Sequence, residues 1–92
     1  MLREKHVAKK LIELLIANDE FGSGIDKEKI RTLFVKNIEA AGGVVPLFSC
    51  NIVDYHIHLL ETAGYVRVTI NPNNRGFDRI CATWSGHDYV GQ

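Results

Sequence analysis

The sequence predicts one α+β domain: three amphipathic helices, then a β-hairpin, then a short closing helix. Three observations predict it. Apolar residues recur at three- and four-residue spacings in three separate stretches before residue 64. Beyond it, two short β-prone runs flank the turn-rich Asn71-Pro72-Asn73-Asn74-Arg75-Gly76. The chain has 92 residues, enough for one domain and not for two, so 1–92 is expected to be a single unit.

Residues 2–18 read as the first helix. Val7, Leu11, Leu14, Leu15 and Asn18 make its stripe, and Ile12 and Ile16 widen it. The turn formers from Asn18 to Gly24 interrupt the pattern. A second helix begins near Asp26, with Asp26 or Ser23 as its N-cap, and its stripe is Ile30, Leu33, Phe34, Ile38 and Ala41. Gly42-Gly43 ends it. Val44 to Phe48 reads as extended, since Pro46 steers Val45 away from helical geometry. The third helix runs from about Cys50 to Thr62, capped by Ser49 or Asn51, with Val53, Ile57, Leu60 and Ala63 turned inward and Gly64 as the stop.

Residues 65–70 form the first hairpin strand and residues 77–83 the second. Phe77, Arg79, Cys81 and Thr83 fall on one face of the second strand, and Asp78, Ile80 and Ala82 on the other. Thr83 caps a last helix from Trp84 to Val90. A hairpin alone is unstable in water, so this one must pack on the helices. Three helices followed by such a hairpin make the winged-helix arrangement. The expected core is Val7, Leu11, Leu14, Leu15, Ile30, Leu33, Phe34, Ile38, Val53, Ile57, Leu60, Val66, Val68 and Trp84.

Charge constrains function. Eleven Lys plus Arg balance eleven Asp plus Glu, and none of the segments 1–20, 21–46 and 47–92 is strongly basic. Proteins that grip a phosphate backbone usually carry a basic excess. The N-terminus lacks a secretory pattern, and no apolar run approaches the ~20 residues of a membrane helix, so a cytoplasmic protein with no membrane partner is expected. Cys50 and Cys81 fit no zinc or redox spacing and read as packing residues. Ser49, Ser85 and the cysteines have no partner base, and Gly22-Ser23-Gly24 lacks the Lys-Ser/Thr of a phosphate loop. The expectation is a non-enzyme with no cofactor and no metal. His56 and His58 point to different sides of a helix and do not share a metal. His56 and His87 are expected to pack near Trp84, satisfied by backbone groups.

Two segments carry a resemblance. Tyr55, His56, Leu59, Leu60, Ala63 and Gly64 follow the pattern Tyr-His-x-x-Leu-Leu-x-x-Ala-Gly, and Thr83-Trp84-Ser85-Gly86-His87 follows Thr-Trp-x-Gly-His. Together they resemble a family of small winged-helix proteins of unknown function, common in phages and prophages. The resemblance covers residues 53–90 and, loosely, the first helix; residues 22–48 depart from it. It implies a winged-helix binding module from a phage or mobile element.

Two functions follow. A DNA-binding transcriptional regulator, with a homodimer as a further expectation, would use Arg75 at the hairpin tip, Asn51, Tyr55 and His58 on the third helix, and Lys9 and Lys10 on the first. Asn51 suits an adenine edge. Asp54 and Glu61 repel phosphate, and no Lys or Arg lies on the third helix, so phosphate contact is expected to rest on Arg75 and the first-helix lysines. The alternative is a factor that binds a host protein complex of nucleic-acid metabolism or defence through Asp54, Tyr55, His58 and Glu61, with Tyr55 as its anchor.

Overall fold

The computed structural model describes residues 2–91. The elements are α1 (Lys5–Asn18), β1 (Ile25–Asp26), α2 (Lys27–Ala40), α3 (Ser49–Thr62), β2 (Val66–Thr69), a single 3₁₀ turn (Arg75–Phe77), β3 (Arg79–Ala82) and α4 (Trp84–Tyr89). The three strands form an antiparallel sheet in the order β1-β3-β2. Ile25 pairs with Ile80, Val68 also lies opposite Ile80, and Val66 lies opposite Ala82. The sheet and the three long helices close over one core.

That core holds Val7, Ala8, Leu11, Ile12 and Leu15 from α1, Ile30 and Phe34 from α2, and Val53, Ile57 and Leu60 from α3. The sheet adds Ile25, Val66 and Ile80. Four expected members, Leu14, Leu33, Ile38 and Val68, pack at its edge and are only partly buried. Ile12 and Ala8 take the deeper places because α1 is covered by both helices and sheet, which broadens its buried stripe beyond one row. Strand β1 is absent from the sequence reading. It has two residues, too few to show alternation, and exists because Ile25 and Asp26 pair with β3.

Trp84 is a correction: it is 87% exposed rather than in the core. The reason lies in how α4 docks. Gly86 is buried on this helix, and a β-carbon there would collide with the Tyr65 carbonyl oxygen. Tyr89 packs on Tyr65 with ring centroids 4.7 Å apart. Positions 86 and 89 lie well round the helix from 84, so docking through them turns Trp84 to water. His87 is exposed as well, so neither expected histidine–tryptophan contact forms.

Of the expected helix caps, the one at α4 is met and those at α2 and α3 are not. Thr83 caps α4, accepting from the Gly86 amide at 3.1 Å while its own hydroxyl donates to the Gly64 carbonyl at 2.6 Å. Asp26 stands at the N-cap of α2 without capping it; its carboxylate accepts from Arg79 at 3.1 Å instead. Ser23 is no cap either, and its carbonyl takes the Arg79 Nε–H at 3.1 Å. Phe48, not Ser49 or Asn51, holds the N-cap of α3, in a left-handed conformation with φ 63°. Gly64, at φ 84°, makes the turn from α3 into the sheet, a backbone region where a side chain is strained.

Candidate nucleic-acid interface

Helix α3 is seated by Val53, Ile57, Leu60 and the buried His56. His56 joins two elements. Its Nδ1 lies 2.8 Å from the Ile52 carbonyl, and its Nε2 accepts the Glu4 amide at 3.0 Å. The second bond needs a bare Nε2, so Nδ1 carries the proton and donates. The ring thereby fastens the entry to α1 onto α3 and shares the seating of the helix.

The outward face carries the predicted residues. Asn51, His58 and Glu61 are exposed, and Asp54 and Tyr55 are half-buried. Asp54 is not the free acid that the third-helix sequence suggests. The Arg31 guanidinium of α2 grips it at two points, Nε to Oδ1 at 3.0 Å and Nη2 to Oδ2. Arg31 also donates to Glu28 at 2.8 Å. The hydrogen bond to Asp54 pushes the Arg31 guanidinium above its ordinary range, so it stays charged at any working pH. The Asp54 charge is therefore matched by a cation from the neighbouring helix, and the expected repulsion between Asp54 and phosphate is offset. Local spacing gives no sign of this pair, whose partners lie 23 residues apart.

The loop from Ile70 to Asp78 is a built structure rather than a free tip. The Asn71 side chain accepts from the amides of Asn73 and Asn74 at 3.0 and 3.2 Å, and Asn74 accepts from Gly76 at 2.9 Å. Asp78 is fully buried. It accepts from the Asn71 amide at 2.7 Å and from Arg75 Nε at 2.7 Å, with Lys27 Nζ at 3.6 Å. Arg75 foremost, then the Asn71 amide and Lys27, hold the Asp78 carboxyl below the usual carboxylate range against the opposing effect of burial. Arg75 was expected to reach freely for a phosphate. It is tied by Nε to Asp78, although 65% of its side chain remains exposed.

The remaining candidates lie on α1. Lys9 is exposed, and Lys10 pairs with Glu13 at 3.7 Å. Lys10 also borders a groove with Phe34, Ile38, Pro46 and Ile52. The structure thus joins Asp54 to Arg31 on the α2–α3 face and Arg75 to Lys27 through Asp78. Sequence reasoning missed Arg31 and Asp78 as organisers.

Of the two cysteines, Cys50 is exposed and so is not a packing residue. Cys81 is half-buried, its thiol 3.8 Å from Asp19 Oδ2 and 3.5 Å from the Gly22 carbonyl. Burial, then the Asp19 charge, pushes that thiol up. Among the described residues, no three His, Cys, Asp or Glu side chains converge on a metal position. Nor is any helix there long and apolar enough to cross a membrane.

No family model matches the chain, and no curated protein does. Among solved structures, it is similar to a point mutant of MepR from S. aureus, with a TM-score of 0.57 and 16% sequence identity. The match covers 97% of this chain and 53% of MepR, so the chain spans about half the length of that protein. Together with the helix order, the sheet order and the hairpin position, that similarity establishes the fold: the chain is a winged helix.

Proposed function

We propose that the chain is a DNA-binding regulator of phage or mobile-element origin, which reads duplex DNA with the outward face of α3. The origin rests on the resemblance of residues 53–90. The DNA reading is carried by the Arg31–Asp54 pair. An acid in the middle of a groove-reading helix would repel phosphate; gripped at both oxygens by a guanidinium, it does so far less. That leaves Asn51, Tyr55 and His58, side chains able to donate and accept hydrogen bonds to base edges. The fold supports the reading generally, since helix-turn-helix proteins present such a helix to the major groove. Arg75 stands on the wing with most of its side chain in water, suited to a phosphate contact that positions rather than specifies.

The test is fluorescence anisotropy with duplex libraries at low salt, followed by a salt titration. Binding should weaken as salt rises. Arg75→Ala should weaken binding to all sequences alike and flatten the salt slope by about one. Asn51→Ala and Tyr55→Ala should instead relax sequence preference. No duplex binding at low salt overturns the reading, and a host protein captured through Tyr55 would then be the function of this face.

A further inference from the structure

From Ala40 to Val53 the chain runs fourteen residues without a charged side chain, although 24% of its residues are charged. This stretch contains the connector between α2 and α3, and the structure holds it open to water. Val44 is 91% exposed, Leu47 80% and Phe48 68%. Phe48 is the one described non-glycine residue with a positive φ. An aromatic residue in the left-handed region is uncommon and costs energy, yet here the strain turns the ring outward. Pro46, in the same connector, lines a largely apolar groove of about 380 Å³ together with Val7, Phe34, Ile38 and Ile52.

We infer that this face is a self-association surface, on which the Val44-Leu47-Phe48 protrusion of one copy enters the groove of a second copy about a two-fold axis. Three observations select a second copy as the occupant. A two-fold interface brings a surface against itself, so protrusion and hollow must lie close together, and here Pro46 of the protruding connector lines the hollow. Identical surfaces also bring identical charges together. A charge-free stretch avoids that repulsion, whereas a foreign partner could have been matched with opposite charges. Finally, covering these side chains and the groove on two copies removes on the order of 1,000 Å² of surface, the lower bound for a specific interface. Of the residues that line the groove, Glu4 just before α1 and Lys10 on α1 carry opposite charges.

The test reads mass and does not depend on DNA binding. Light scattering or sedimentation equilibrium of the full chain from about 1 to 100 µM should show a rise from one 10.3 kDa copy to two. Leu47→Asp should shift that rise at least about tenfold upward in concentration, because the interface then meets its own charge. Phe48→Asn should also weaken pairing while suiting the left-handed backbone better, so its circular dichroism and melting should be preserved or improved. A wild-type chain monomeric throughout the range overturns the inference. So does a dimer that survives both substitutions, since its interface lies elsewhere.

Discussion

Asp54→Ala separates the two roles of the Arg31–Asp54 pair. Hydrogen bonds to charged groups contribute about 1.5–3 kcal/mol when shielded, and fully exposed ion pairs about 0–1 kcal/mol. The Arg31 and Asp54 side chains are 22% and 34% exposed, so solvent screens the pair only in part. An expected loss of about 1–2 kcal/mol follows, or about 5–15 °C in melting temperature for a domain of this size. DNA binding should move the other way. Freed from Asp54, Arg31 keeps only Glu28 as a partner and can neutralise one more phosphate. The slope of log K against log salt should then steepen by about 0.9, and low-salt affinity should rise. The assays are thermal melting by circular dichroism and an anisotropy salt titration on the same variant. A double-mutant cycle with Arg31→Ala checks the cause: coupled residues should deviate from additivity by more than ~0.5 kcal/mol. Additive effects, or an unchanged melting curve, would refute the pair as a stabilising contact.

Leu60→Ala should cost about 2–5 kcal/mol, because it empties a buried site on α3, whereas Trp84→Ala should change stability by less than ~0.5 kcal/mol; comparing their denaturant midpoints checks both. Gly86→Ala should be strongly destabilising despite its small size, since the new β-carbon meets the Tyr65 carbonyl, and loss of near-ultraviolet tyrosine signal would report the release of α4. The Asp78 carboxyl sits below its usual range in the folded state, so it stabilises the fold above the unfolded-state value of about 4 and loses that contribution as pH falls through the lower folded value. Melting temperature should therefore decline in acid, and Asp78→Asn should flatten that decline while lowering stability near neutrality.

The parts of this fold legible in the sequence are those where one element's own periodicity decides its place. Val53, Ile57 and Leu60 repeat at helical spacing and are buried, and the same periodicity puts Asn51, His58 and Glu61 outside. Thr83 is legible as a cap because capping is a local bond. What was illegible depends on partners far along the chain. Ile25 is core only because Ile80 lies opposite it. Trp84 has the composition of a core residue, and only the close approach of Gly86 to Tyr65 turns it outward. The charge balance of the α3 face is likewise set on α2, by Arg31. Phe48 inverts the usual logic: an apolar residue at a helix start suggests burial, and the backbone shows it displayed.

The ion pairs, local and distant, bear on how strongly a single copy can hold DNA. Lys10, Lys27, Arg31, Arg75 and Arg79 each lie within 4.0 Å of a carboxylate, so among the described residues five of the eleven Lys and Arg side chains are already engaged. Each phosphate contact they make competes with an acid in the same protein, and a neutral chain gains little from the remaining cations. A single winged helix of this kind should therefore bind duplex DNA weakly and with a shallow salt slope. Two copies joined through the α2–α3 connector would double the phosphate contacts and turn the second helix's binding into an intramolecular step. Leu47 lies outside the α3 residues that would face bases, so Leu47→Asp should leave the single-copy contact intact. Loss of pairing should then cost DNA affinity at least about tenfold on a two-site duplex and almost nothing on a duplex long enough for one copy. Equal losses on both duplexes would show that Leu47 itself touches DNA, and equal retention on both would show that the module works as a monomer.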